Sequence, residues 1–213
     1  MQKFFFLLLL FSLIPSYIQS SPILLSQGKT VTGSSYYNSG SEVFPYSKIV
    51  DGRYDDTGTG YDWSFWLTPQ SSGGYAIIDL ANIYSISRFE VQNTHNRQHN
   101  DRGTKDFRIS VSTDGINYTS IVSTTLAAVW GLNPIPIEIF NITSIQARYV
   151  RFDVDTWYGS SGGINELSVY GESGVVPESE TLLLALTGLL ATLGLRISKN
   201  NNRKMRFPVD KRI

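Results

Sequence analysis

Both histidines of the chain lie in one polar run, Asn93-Thr94-His95-Asn96-Arg97-Gln98-His99-Asn100-Asp101-Arg102-Gly103-Thr104. The planar guanidinium fork of Arg97 and the neighbouring asparagine amides match pairs of vicinal hydroxyls, and His95 and His99 each add a donor or an acceptor. Such a set suits a sugar. Aromatic rings supply the other half of sugar recognition, because the apolar face of a pyranose stacks on a ring while its hydroxyls bond nearby polar groups. Trp157 and Tyr158, just before Gly159-Ser160-Ser161-Gly162-Gly163, are the first aromatic candidates, and Trp130, beside Gly131, is the next. The same polar run also reads as a structural loop held by a local pairing of Asp101 with Arg102. Zinc fits poorly, since the two histidines sit between strands with no adjacent Glu and no third ligand.

Catalytic chemistry finds no foothold. The chain has no cysteine, no nucleophile-elbow glycine pattern and no phosphate-cradling loop. Its carboxylate pairs, Asp55 with Asp56 and Asp153 with Asp155, are neighbours in sequence rather than an acid and a nucleophile set across a cleft. Asp153 and Asp155 alternate along one strand face and read as surface residues. A binding protein is expected rather than an enzyme.

The elements that must position these residues are short strands. Phe107, Ile109 and Val111 alternate with Arg108, Ser110 and Ser112, and Thr113-Asp114-Gly115 supplies a tight turn to a return strand carrying Tyr118. Tyr75 to Leu80 forms one strand. Ile86 to Val91 forms the next, with Ile86, Arg88 and Glu90 facing one way and Ser87, Phe89 and Val91 the other. Pro134 and Pro136 flank an edge strand entered from a loop. Arg148, Val150 and Phe152 alternate with Tyr149 and Arg151, as do Leu167 and Val169 with Ser168 and Tyr170. Trp63 and Trp66 read as core. Strands at this spacing, with Gly and Asn turns and no long helical period, predict an all-β antiparallel sandwich over 23–172.

Charge narrows the partners. Residues 21–172 hold 10 Lys+Arg against 15 Asp+Glu, a balance of 10 − 15 = −5, within a chain of formal net charge zero. An acidic domain argues against nucleic acid, which needs a basic surface. A domain of this size buries roughly 70% of its unfolded surface and needs no disulfide. An exported chain without cysteine fits a bacterial envelope.

Several ordered anchors now resemble the discoidin family, the coagulation factor V/VIII C-type domains: Val50-Asp51-Gly52, Ile78-Asp79-Leu80, Ser112-Thr113-Asp114-Gly115 with Tyr118, Arg148-Tyr149-Val150-Arg151-Phe152, and Glu166 to Gly171. The resemblance implies a jelly-roll sandwich, galactose-binding-like, whose ligands sit among loop tips at one end. It is similar to the carbohydrate-binding modules of bacterial glycosidases as well as to eukaryotic lipid and collagen binders. It also implies a structural calcium ion, held by carbonyls, by Asp51 of the Asp-Gly turn and by Glu166 before the last strand. A hard cation wants six to eight oxygens, and Asp56 and Thr59 of the next loop, with Asp55 and Thr57 beside them, are placed to supply the rest. An Asp-Gly turn and a solvated carboxylate are the plainer reading of Asp51 and Glu166.

The two ends read as addresses. Residues 1–20 carry Lys3, an apolar stretch from Phe4 to Ile14 and then Pro15, the order of a signal peptide. At the other end, Val176-Pro177-Glu178-Ser179 in a linker (173–180) precedes an apolar span at 181–197 and a basic tail at 198–213. Fifteen apolar residues reach only about 22 Å as a helix, so Ile197 and snorkelling basic side chains must help them span. Basic residues beyond the span place the tail in the cytoplasm. The arrangement resembles the PEP-CTERM sorting signal, which implies an exosortase-type membrane protease as partner. Ser179 departs from that motif, and the tail is longer than the motif's usual few residues. A plain transmembrane anchor is the alternative. The expected protein is an exported cell-surface or matrix module that binds a glycan or exopolysaccharide; the alternative is a structural or adhesive protein that binds another protein.

Overall fold

The computed structural model describes residues 21–173 of the chain. The signal peptide, sorting motif, apolar span and basic tail expected at the two ends lie outside these residues. Among the described residues no helix is long and apolar enough to cross a membrane.

Two long strands organise the domain. β-Branched and aromatic residues at alternate positions favour extended backbone, and they run through Gly74–Asn93 and Ile137–Val154. These pair antiparallel from Ile137 opposite Gln92 to Val154 opposite Gly74. In chain order the strands are β1 (Ile23–Leu24), β2 (Thr30–Gly33), β3 (Gly58–Thr59), β4 (Asp62–Trp63), β5 (Trp66–Leu67), β6 (Gly74–Asn93), β7 (Arg102–Thr104), β8 (Asp106–Ser112), β9 (Thr119–Thr125), β10 (Ile137–Val154), β11 (Trp157–Gly159) and β12 (Gly163–Ser173). The first half of β6 pairs with β2 and with the end of β10, which in turn pairs with β8 and then β9. The second half of β6 pairs with the start of β10 and lies beside β12, which carries β1 and β5. One hydrogen-bonded sheet thus bends over on itself into an all-β sandwich.

The bend falls where the β6–β10 register shifts, between Tyr149 opposite Asp79 and Ala147 opposite Tyr84. One residue of β10 there faces four of β6, so both strands turn a corner. Arg148 is that single residue. Its Nε and Nη2 donate to the two carboxylate oxygens of Asp79 at 2.8 Å each, a bidentate clamp across the corner.

A second bulge corrects the expected alternation of Ile86. Ile86 and Phe89 both reach the core at 0% exposure, and Arg88 does not. Ser87 alone faces Ile142, Thr143 and Ser144 across the register shift. The strands expected at Tyr75–Leu80 and Ile86–Val91 are therefore two halves of β6. Tyr118 precedes the return strand β9 rather than lying in it. Asp153 is buried, not surface, because Arg151 folds back along the strand to donate to it at 2.7 Å.

The alternations expected for Phe107, Ile109 and Val111, for Val150 and Phe152, and for Leu167 and Val169 all point inward. Between the layers Phe152 stacks on Phe107 at 5.1 Å and meets Trp66 edge-on. A smaller cluster of Phe44, Trp63, Phe65 and Leu67 lies under the loops. Pro136 precedes the start of β10, whose residues 137–147 pair with β6 only, so this half is an edge strand and leaves Ile137 and Ile139 exposed.

Truncation of Phe152 tests this core. Phe152→Ala should cost about 3–5 kcal/mol of unfolding free energy, whereas Phe152→Leu should lose well under half of that. Equilibrium urea unfolding measures both, and equal losses would place the ring outside the packed layer.

Candidate functional site

The run expected to bind ligand leaves β6 at Asn93 and returns as β7. Asn93 anchors its base with every polar group used. Its Nδ2 donates to the Thr104 and Ala127 carbonyls, and its Oδ1 accepts from the Thr94 and Thr104 amides, all at 2.9–3.0 Å. Within the loop Asn96, Arg97 and Asn100 adopt left-handed backbone conformations with φ of 56°, 61° and 50°. Asparagine tolerates this region, but Arg97 pays a steric cost there, of a kind that surrounding structure must over-determine.

Asp56 supplies that constraint. Its carboxylate accepts from Thr94 Oγ1 at 2.8 and 2.9 Å, from the His95 amide at 3.0 Å, from the Arg97 amide at 2.8 Å and from Asn165 Nδ2 at 3.0 Å. Its side chain is 2% exposed. The carboxylate oxygens expected to face a cation accept from the loop, so Asp56 acts as a loop anchor in this structure. Asp55 is turned likewise, with Oδ1 accepting from the Ile135 amide at 2.8 Å. Thr59 is exposed on the small β3–β4 hairpin.

Arg97 and His99 line a cleft of about 190 Å³ together with Tyr37, Glu42, Phe44, Asn96, Asp101 and Arg102. Arg97 lies flat over Trp63 at 4.0 Å and donates from Nη1 to Glu42 at 2.9 Å. Trp63 Nε1 donates to the same Glu42 carboxylate at 3.1 Å. Arg102 lies over Tyr37 at 4.0 Å. The expected local pair of Asp101 with Arg102 does not form; Asp101 accepts from Asn96 Nδ2 at 2.7 Å instead. The cleft thus offers two ring-stacked guanidiniums, two carboxylates and an exposed imidazole, converging donors and acceptors of the kind a polyhydroxylated ligand needs.

His95 sits behind the rim. Its Nδ1 is 3.1 Å from Asn100 Oδ1, and the same oxygen accepts from the Gly131 amide at 2.7 Å, joining this loop to that of Trp130. Trp130 is 45% exposed and meets Tyr158 edge-on at 6.4 Å. Tyr158 donates its hydroxyl to the Leu126 carbonyl at 3.0 Å. Trp157 packs against the main core and is not among the cleft residues. Three loops therefore meet at one end of the sandwich, with Trp130 and Tyr158 in contact with each other outside the cleft lining. Sequence reasoning missed Tyr37, Glu42 and Phe44, which reach the cleft from an N-terminal loop with no periodic pattern.

Asp51 and Glu166 form a separate pair. Glu166 is 2% exposed, and its Oε2 and Asp51 Oδ2 are buried without a hydrogen-bond partner. Asp51 Oδ1 accepts from the Arg53 amide at 2.9 Å, and Lys48 Nζ stands 3.8 Å from Oδ2. Burial pushes the Glu166 carboxyl up to about 8; the nearby Asp51 charge adds to the rise and the Gly52 amide offsets part of it. Burial raises Asp51 as well, against the pull of the Arg53 amide and Lys48. No group of three or more His, Cys, Asp or Glu is placed to hold a metal among the described residues.

Solved structures share this architecture. The chitosan-binding module 1 of a chitosanase/glucanase from Paenibacillus sp. IK-5 is 22% identical, covering 70% of this chain and 99% of that one at a TM-score of 0.53. A family 32 CBM of NanJ from Clostridium perfringens, solved with galactose, is 17% identical over 70% and 99% of the two chains, at a TM-score of 0.55. A CBM32 module of a second Clostridium perfringens protein, solved with GalNAc-beta-1,3-galactose, is 18% identical over 69% and 99%, also at 0.55. At these identities the likeness is one of fold. The family match is more direct: residues 30–167 match the F5/8 type C domain, and the chain belongs to that family.

Proposed function

We propose that the domain is a non-catalytic carbohydrate-binding module whose ligand occupies the cleft beside Arg97 and His99. The observation that carries this reading is the cleft itself, where polar groups converge beside rings and a strained backbone is held in place by Asp56. The solved relatives named for chitosan, galactose and GalNAc-beta-1,3-galactose support it. Exposed Ile137 and Ile139 on the open edge of β10 favour a second reading, a surface that docks another protein.

A single sugar site of this size binds at about −4 to −7 kcal/mol, in the millimolar to micromolar range. A glycan array on the full chain should show one sugar class. His99→Ala should weaken binding severalfold with an unchanged melting temperature, because that side chain is exposed. A blank array with a folded domain would move the assignment to the protein-docking surface.

Asp51 and Glu166 fit a structural calcium ion. The buried Glu166 and the partly buried Asp51, each with an unpartnered oxygen, repel each other, and a divalent cation relieves both desolvation and repulsion. Asp56 and Thr59 take no part in this reading, so main-chain carbonyls or water must complete the shell. Without calcium, the raised Glu166 pKa means that the fold holds a proton the unfolded chain releases near 4.5. The contribution of Glu166 to stability in chelator should therefore be fully present below that value and be lost as pH rises toward about 8. Added calcium should raise the melting temperature most at the alkaline end. Thermal unfolding across pH, with calcium and with chelator, checks the sign, and a flat chelator profile with no calcium response would remove the ion.

The chain ends support export to a bacterial envelope, with anchoring or exosortase-type processing at the PEP-CTERM-like signal. Mass spectrometry of the exported protein should find an N-terminus near Ser21. A C-terminus near Glu178 would mark processing, and an intact tail would mark a plain anchor.

A further inference from the structure

Arg102 stands apart from the other arginines of the described residues. Arg53, Arg88, Arg97, Arg108, Arg148 and Arg151 each reach a carboxylate within 2.7–3.2 Å. Arg102 is the buried one, at 8% exposure, and it reaches none. Its Nε and Nη1 are buried without a hydrogen-bond partner, and the guanidinium lies over Tyr37 at the wall of the cleft. Stacking on a ring offsets part of the cost of burying a cation, but it leaves the in-plane N–H groups unmet. Nε and Nη1 lie on different edges of the guanidinium and are closed off from the cleft, so Nη2 is the group left to meet a charged oxygen, and an anion there would supply the counter-charge that this buried cation lacks.

The cleft's own carboxylates cannot serve. Glu42 is held by Arg97 and Trp63, and Asp101 Oδ1 is held by Asn96. Asp101 would repel a bare anion, while it would accept hydroxyl donors. A ligand that satisfies both sides carries hydroxyls and an acid group on one small frame. Resting on the carbohydrate reading above, we propose that the cleft takes an acidic sugar, with its carboxylate or sulfate on the Arg102 guanidinium and its ring hydroxyls toward Asp101 and Glu42.

Titration calorimetry of the full chain tests this with galacturonate and glucuronate, galactose 6-sulfate, and the neutral parents galactose and glucose. An acidic sugar should bind at least tenfold more tightly than its parent, and the advantage should shrink as salt rises from about 50 to about 500 mM. Arg102→Gln should remove the advantage. Should that variant misfold, Asp101→Asn provides the second arm, tightening acidic sugars and weakening neutral ones. Uronates alone binding assigns a carboxylate, the sulfated sugar alone assigns a sulfate, and both together assign the shared anion. Neutral parents binding as tightly as their acids would overturn the proposal and leave the carbohydrate reading intact. Silence from every sugar would overturn both.

Discussion

A buried carboxylate answered by hydrogen-bond donors rather than by a lysine or arginine holds the loop end of this molecule together. Asp56 comes from the loop before β3, Thr94, His95 and Arg97 from the loop after β6, and Asn165 from the last strand. Three distant parts of the chain are fixed relative to one another at one side chain. Charged acceptors make hydrogen bonds about twice as strong as neutral ones, and the low local dielectric strengthens them further. The left-handed turn at Arg97 exists because its amide must point at this carboxylate. The cleft is in that sense a consequence of an anion placed beneath it.

Around this anchor the molecule divides its labour. Stacked rings and aliphatic side chains fill the space between the layers, where Phe107 and Phe152 pack with Trp66, whose indole nitrogen has no partner. At the loop end the same residue types serve as platforms. Trp63 and Tyr37 each present a face to a guanidinium, which keeps long flexible side chains in one orientation before any ligand arrives. The small cluster of Phe44, Trp63, Phe65 and Leu67, with Tyr37 packed against it, is thus the floor on which the arginines rest.

What the sequence revealed followed the range of the interactions. The turn after β8 was legible because Asp114 organises it within three residues, accepting from the Ile116 and Asn117 amides at 2.8 Å. The inward faces of β8, of the end of β10 and of β12 were legible because alternation is local. The corner at Arg148 was not, since a bulge leaves the composition of a strand unchanged while shifting its register. The loop-anchoring role of Asp56 was not legible for a related reason. An acidic residue in a loop looks the same whether it faces a cation or a set of amides, and the amides come from 39 to 109 positions away. Arg97 and His99 were recognised by type, but Glu42 lies 55 residues from Arg97 and gives no local sign of the contact.

The last strand gives the domain a mechanical axis. β1 pairs with the final residues of β12, so the chain enters and leaves this domain side by side. The start of β12 lies against Thr104, whose hydroxyl donates to the Gly163 carbonyl at 2.7 Å beside the cleft. Eleven residues of strand separate the two ends, about 33 Å at the usual rise. Tension between the cleft and the chain ends would therefore run along β12. Its cross-strand hydrogen bonds lie perpendicular to that pull, so they would be loaded together in shear rather than peeled one at a time, the arrangement in which a strand resists force best.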